Sequence, residues 1–156
     1  MLSSFISPSV IKTGMESSEK EEGFAELLEL LVAKNPKLER REAMEALLKR
    51  EEKMSTAVLP FVAVPHALCS SAGDTLVAMG ISREGIEFEA PDPETDKTHP
   101  VVNIIFEILF EEKDTETHLQ VLRDILELVS KPDFVKNVLQ AKSSQEVYDL
   151  IESMEM

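Results

Sequence analysis

Several residue types are scarce in this 156-residue chain, and each scarcity excludes a class of protein. The one cysteine, Cys69, cannot form an internal disulfide and suits a reducing cytoplasm. The five glycines show neither G-x-G-x-x-G nor G-x-x-x-x-G-K spacing, which excludes a glycine-rich phosphate loop. No apolar run reaches the roughly 18 residues of a membrane span, and residues 1–10 lack the features of a secretory signal. We therefore expect a cytoplasmic protein without membrane insertion.

Positive charge is also scarce. The chain has 16 Lys and Arg against 30 Asp and Glu, a net charge of −14, of which −12 falls within residues 54–156. Such a surface repels nucleic-acid phosphates, so we predict no nucleic-acid binding. It favours a basic protein partner, although acidic charge also serves solubility alone.

What remains is an ordinary globular composition, with 43% hydrophobic and 29% charged residues, and a length that suits one domain over residues 1–156. Apolar residues at helical spacing predict helices over about 18–35, 38–52 and 116–129, with two shorter helices near 132–139 and 143–151. Strands are expected at 58–64, 75–81, 86–89 and 101–110, with a turn at 82–85. Ser18 with Glu21, and Ser143 with Glu146, have capping-box spacing. This order predicts an α/β fold, a single three-layer domain with a central mixed β-sheet flanked by helices on both faces.

A short apolar run, 58–64, ends at Pro65 and is followed by His66. Because proline cannot donate to a strand ladder, we expect pairing to stop there and His66 to lie at the strand end, at the edge of the sheet. Ligands collect at such edges in α/β folds, and histidine titrates near neutral pH. Nucleophilic or acid–base work by His66 and an ordinary loop histidine both remain open.

The other two histidines differ in their surroundings. His118 lies in the first turn of a predicted helix and shares a stripe with Leu122 and Ile125, so it should face the protein body. It is either a buried histidine bonded to a carbonyl or a functional group near a helix N-terminus that favours anions. His99 lies in an acidic, proline-rich loop and should face solvent. His66, Cys69 and His118 form no compact ligand motif, so we predict no metal and no cofactor.

At this point the sequence resembles a known family. Arg50-Glu51, Ser55-Thr56 and the Val62–His66 segment together resemble the active-site region of the fructose/mannitol-type enzyme IIA of the bacterial phosphotransferase system, which includes the nitrogen-regulatory enzyme IIA group. Thr117-His118-Leu119 resembles the start of the family's next helix, and the strand from 100 to 106 is also similar. The resemblance covers nearly the whole chain.

The resemblance implies a phosphotransferase component that carries a phosphoryl group between proteins. His66 would accept the group from the histidine phosphocarrier protein and pass it to an enzyme IIB cysteine, or hold it as a signal for regulatory target proteins. His118 would donate a hydrogen bond to the phosphoryl oxygens. Arg50 and Thr56 would bind the phosphate.

The loop before His66 departs from the family pattern. Where the family usually has small residues or glycine, this chain has Ala57, Leu59, Pro60 and Phe61. Leu59 and Phe61 make the expected entrance to the site bulkier. A second hypothesis therefore stands beside the first: a non-catalytic regulatory protein-interaction module on the same fold, with a degenerate phosphoryl site. The sequence does not separate a sugar-specific carrier from a nitrogen-type regulator.

Overall fold

The computed structural model describes residues 1–156, which form five strands and five α-helices in the mixed order typical of an α/β protein. No helix has the length and apolar character needed to cross a membrane. In chain order the elements are β1 Ile11–Lys12, α1 Lys20–Lys34, α2 Arg40–Lys53, β2 Val62–Ala63, β3 His66–Leu68, β4 Leu76–Glu87, β5 Val101–Phe110, α3 Thr115–Ser130, α4 Phe134–Gln140 and α5 Ser144–Glu155.

β5 is the central strand of one mixed sheet. It pairs antiparallel with β4, which pairs in parallel with β1. On its other side β5 pairs in parallel first with β2, where Val62 is opposite Ile104, and then with β3, where His66 is opposite Ile108. The ten residues of β5 therefore fix the positions of both short strands that surround Pro65.

Helices cover both faces of this sheet, which confirms the predicted three-layer α/β fold. Gly80 is paired with Ile105 and lies under α1, where a Cβ atom would come within 2.6 Å of Leu27. This close approach explains a glycine inside a buried strand. Side chains alternate along a strand, so Phe110 lies on the face opposite Ile105. There it stacks on His118 of α3.

The core is one cluster of 38 buried hydrophobic residues. Its largest fully buried members include Phe24, Phe88, Phe106 and Phe134. Each such side chain contributes roughly 1.5–3 kcal/mol on leaving water. This burial holds the helices against the sheet. Only α3 and α5 also have a side-chain hydrogen bond at the N-cap.

The strand before His66 is shorter than predicted, and the expectation that Pro65 ends its pairing is wrong. Phe61 has φ 66°, which an extended strand cannot accommodate, so β2 begins only at Val62. Pro65 has no N–H, but its carbonyl accepts a hydrogen bond from the Ile108 amide at 2.9 Å. The chain therefore stays on β5, and His66 begins β3 instead of following the last strand residue.

The predicted turn at 82–85 and the separate strand at 86–89 are also wrong. β4 runs continuously over Leu76–Glu87, with a register shift between Ile81 and Ile86. Gly85 has φ 87°, and its amide donates to the Ser82 hydroxyl at 3.0 Å. The polar segment with Gly85 is thus a bulge inside a long strand. A glycine with positive φ favours a bulge as well as a turn.

The helix starts were predicted with mixed success. Ser143 accepts from the Glu146 amide, so α5 begins at the expected cap. α3 begins at Thr115, next to the expected residue 116, and Asp114 accepts from the Thr117 amide there. α1 does not use the Ser18 cap, because it begins at Lys20 after Glu19. The residue before, Ser17, instead donates to the carboxylate of Glu26 within α1.

Candidate functional site

Four elements meet around one open depression of about 580 Å³. The last turns of α2 form one wall, β3 forms the floor, and the end of β5 with the start of α3 forms the other wall. Its lining residues are Ala46, Lys49, Arg50, Lys53, His66, Ala67, Leu68, Phe110 and His118. Three of the four predicted site residues therefore share this cavity.

The His66 ring is held by a hydrogen bond to a nearby backbone carbonyl. Its Nδ1 lies 2.8 Å from the carbonyl oxygen of Val64, two residues earlier. A carbonyl can only accept, so Nδ1 carries the proton and the lone pair of the neutral ring is on Nε2. Burial of the ring lowers the pKa of His66, and the positive charge of Arg50 lowers it further. The Val64 hydrogen bond and the negative charge of Glu51 act in the opposite direction. Near pH 7 the ring is neutral and its Nε2 can act as a nucleophile.

The His118 ring lies beside it. The centroids of the His66 and His118 rings are 5.6 Å apart. The Phe110 ring stacks on His118, with a centroid distance of 3.6 Å and an interplanar angle of 17°. Burial lowers the pKa of His118 to about 4, and the positive charge of the protonated form of His66 adds to this effect. Its Nδ1 is buried without a hydrogen-bond partner. Nε2 is therefore the ring nitrogen that can meet a ligand.

Three cations of α2 border the depression, and no Asp or Glu lines it. Lys49, Arg50 and Lys53 are spaced to lie on one side of the helix end. The Arg50 guanidinium donates to the Met54 carbonyl at 2.8 Å, which fixes its position at the rim. In a chain of net charge −14 this is a local positive site, which attracts anions. Lys49 and Lys53 were not predicted as site residues. Their position beside Arg50 at the charged end of the helix could have indicated it.

Thr56 is not in the depression. Its side chain is 2% exposed and its hydroxyl donates to the Glu51 carboxylate at 2.8 Å. Thr56, which was predicted to bind phosphate, instead binds Glu51, because the buried carboxylate accepts hydrogen bonds from both its hydroxyl and its amide. Direct phosphate binding by Thr56 stays a prediction that this arrangement disfavours.

The bulky loop residues also lie elsewhere. Neither Leu59 nor Phe61 lines the depression. Phe61 is 56% exposed and borders a second groove of about 650 Å³ that it shares with Phe134 and other residues of α4. The expected bulkier entrance is therefore wrong, because the positive φ of Phe61 turns its side chain to the other groove.

The chemistry of the lining suits an anion. No three His, Cys, Asp or Glu side chains converge as a metal ion would require. The Cys69 thiol is buried and contacts the Glu42 carboxylate at 3.5 Å, and burial raises its pKa. His99 is exposed in its loop and does not line the depression. Two neutral imidazoles and three cations are left, a set that can hold a phosphoryl group.

Comparison with known sequences shows one family over almost the whole chain. The family described as "Phosphoenolpyruvate-dependent sugar phosphotransferase system, EIIA 2" matches residues 4–154. The fructose-specific EIIA component of Haloferax volcanii is 33% identical over 132 residues, which are 85% of this chain and 82% of that protein. The fructose-specific EIIABC component of Bacillus subtilis is 30% identical over 90% of this chain, which spans only 21% of that longer protein.

Solved structures give the same result for the fold. The nitrogen regulatory protein IIA-Ntr of Neisseria meningitidis superposes with a TM-score of 0.84 at 27% identity, over 96% of this chain and 98% of that one. The complex of enzyme IIAMTL and phosphorylated enzyme IIBMTL from Escherichia coli contains a chain of the same fold, with a TM-score of 0.74 at 21% identity over 95% of this chain and 97% of that chain.

Proposed function

Because the chain belongs to the EIIA 2 family of the phosphoenolpyruvate-dependent sugar phosphotransferase system, we propose that it is a phosphocarrier that accepts its phosphoryl group on Nε2 of His66. The observation that carries the proposal is the hydrogen bond from Nδ1 to the Val64 carbonyl. It leaves the lone pair of Nε2 available in a cavity that holds three cations and a second histidine.

The transfer needs little covalent chemistry from the protein. The lone pair of His66 Nε2 attacks the phosphorus of a phosphohistidine on the donor. The donor's P–N bond breaks, and its electron pair returns to the donor imidazole. The His66 ring gains positive charge as the new P–N bond forms, and the Val64 carbonyl stabilises that charge through Nδ1–H. In the second step a thiolate of the acceptor attacks the same phosphorus, and Nε2 recovers its lone pair.

The neighbouring groups act on the phosphoryl oxygens. His118 donates from Nε2–H, since its Nδ1 is buried and its low pKa keeps the ring neutral before the anion arrives. Arg50, with Lys49 and Lys53, offsets the charge of the oxygens and attracts the incoming group. Thr56 acts indirectly, because its amide and hydroxyl donate to the Glu51 carboxylate and so tie the loop before His66 to α2.

The partners follow from this chemistry. The proposed donor is the histidine phosphocarrier protein, and the proposed acceptor is an enzyme IIB cysteine or a regulatory target protein. An enzyme IIA of this fold is solved with a phosphorylated enzyme IIB, and relatives include both fructose-specific and nitrogen-regulatory proteins. We propose that residues 1–156 act as one such domain in the cytoplasm, where a lone buried cysteine stays reduced.

The test is phosphorylation of the purified chain by phosphoenolpyruvate, enzyme I and the histidine phosphocarrier protein. We expect the intact mass to increase by one phosphoryl group, and that group to be lost in acid. The variant His66→Ala should gain nothing, whereas the control His99→Ala, changed at an exposed loop histidine, should gain the group as the wild type does. An unmodified wild-type mass contradicts the carrier function.

One observation favours the alternative function, a regulatory interaction module. Phe61 is an exposed aromatic residue at the border of the second groove, with φ 66°. Exposed aromatic residues beside grooves are common at protein interfaces. A wild-type chain that stays unphosphorylated, but folds with the expected helical content, would support this second function.

A further inference from the structure

An unbroken set of hydrogen bonds joins a buried carboxylate to the reactive histidine. The Glu51 Oε1 atom accepts from the Thr56 amide at 3.0 Å. The Thr56 carbonyl accepts from the Val64 amide at 3.1 Å. The Val64 carbonyl accepts from His66 Nδ1 at 2.8 Å. Thr56 and Val64 each donate through their N–H and accept through their C=O, so both residues in the middle of the path are held on both sides.

The position of Glu51 in this path is unusual. It is 5% exposed on the last turns of α2 and does not line the depression. Its second oxygen accepts from the Thr56 hydroxyl at 2.8 Å, and the nearest cation, the Lys20 ammonium, is 3.9 Å away. A buried carboxylate needs several donors to offset its lost hydration. Thr56 supplies two of them from a single residue.

We propose that Glu51 is a positioning residue that selects the reactive tautomer of His66 through Thr56 and Val64. This inference rests on the proposed phosphocarrier function. When Thr56 is held, the Val64 carbonyl points at Nδ1 and keeps the proton there. When Thr56 is released, the carbonyl is free to turn, and the proton can move to Nε2, where it occupies the lone pair that attacks phosphorus.

A purely structural role for Glu51 makes a different prediction. In that case its loss lowers the stability of α2 and of the loop, but the folded molecules keep the wild-type His66 tautomer. The tautomer is observable by ¹⁵N NMR of the labelled ring, because protonated and unprotonated ring nitrogens have well separated shifts. The measurement needs no phosphoryl donor.

The experiment compares Glu51→Ala, Glu51→Gln and the matched control Glu52→Gln, an exposed neighbour on the same helix. In wild type and control we expect the His66 proton on Nδ1. Glu51→Ala should give a mixture of tautomers and a phosphorylation rate lower by roughly tenfold to hundredfold, the cost of a misplaced reacting group. Glu51→Gln keeps an acceptor for the Thr56 amide, so it should restore most of the tautomer and of the rate.

A wild-type tautomer in folded Glu51→Ala overturns the proposal, whatever happens to the rate. If Glu51→Ala does not fold, Glu51→Asp replaces it, since a carboxylate one methylene shorter does not reach both Thr56 donors; a wild-type tautomer and rate there also overturn it. Failure of the phosphocarrier function is distinguishable, because the wild-type protein would then stay unphosphorylated while the tautomer of each variant still reports on Glu51.

Discussion

The rings of His66 and His118 lie 5.6 Å apart and are tilted by 42°. At this distance one phosphoryl group on His66 Nε2 can have an oxygen within hydrogen-bonding reach of His118. The two residues come from β3 and α3, and only the folded sheet brings them together.

Replacing His118 tests this relationship. We expect His118→Ala to remain able to accept a phosphoryl group on His66, but with a rate lower by about 10²–10³, the usual cost of losing one donor to a developing oxyanion. Rapid-quench measurement of the single-turnover rate checks this. The variant also leaves space beside Phe110, so thermal unfolding should accompany the kinetics; an unchanged rate in a folded variant contradicts the role of His118.

The cations of α2 should act through charge. We expect the double variant Lys49→Gln/Lys53→Gln to react about tenfold more slowly at low salt, because it loses the local attraction for an anionic group. The difference should shrink as salt is added, since exposed charges are screened. Its control is Lys97→Gln/Lys136→Gln, which changes net charge equally at sites outside the depression. Equal rates for the two double variants would exclude a local effect.

Glu107 should make stability depend on pH. It is fully buried in β5, neither carboxylate oxygen has a hydrogen-bond partner, and burial raises its pKa well above the ordinary value. The folded state therefore binds a proton that the unfolded state releases above about pH 4.3. The contribution of Glu107 to stability is greatest below that pH and is lost as pH rises toward the raised pKa.

The variant Glu107→Leu removes this dependence and a buried unpaired polar group. We expect it to be more stable than wild type by about 1–3 kcal/mol near neutral pH, and the gain to be smaller at pH 5 than at pH 8. Urea unfolding at the two pH values measures both quantities. A gain that is the same at both pH values would mean that folded Glu107 is already ionised at pH 5, and would contradict the raised pKa.

Phe61 offers a test of backbone strain. Its φ of 66° lies in the left-handed region, where a side chain costs roughly 1–2 kcal/mol and glycine costs little. We expect Phe61→Gly to be more stable than Phe61→Ala by about 1 kcal/mol, although alanine is usually the better residue. Both should be phosphorylated at the wild-type rate, because Phe61 does not line the depression. Greater stability of the alanine variant would contradict the strain.

Local patterns predicted the parts of the site that depend on local physics. The periodicity of residues 116–129 placed His118 on the inward face of α3, and Ser143 with Glu146 predicted the cap that begins α5. The apolar run before Pro65 singled out His66, although this residue begins β3 and does not follow the last strand residue. These features depend on side-chain spacing and backbone donors within a few residues.

The parts that were missed depend on contacts distant in sequence. The continued pairing of Pro65 needs the Ile108 amide of β5, and the burial of Thr56 needs the Glu51 carboxylate at the end of α2. The serine and glycine at 82 and 85 have the composition of a turn, and only the neighbouring strand turns them into a bulge. Proline and glycine restrict the backbone, but the partner strand decides the outcome.

β5 has a further consequence for motion in the site. His66 is in register with Ile108 on this strand, and the same strand ends at Phe110. Four residues separate Phe110 from the start of α3, which carries His118 against the Phe110 ring. Both imidazoles are thus held against the last three residues of one strand, His66 by pairing and His118 by stacking. We expect displacements of this strand end to move the two rings together, so that the gap between them fluctuates less than the distance from either ring to the cations of α2.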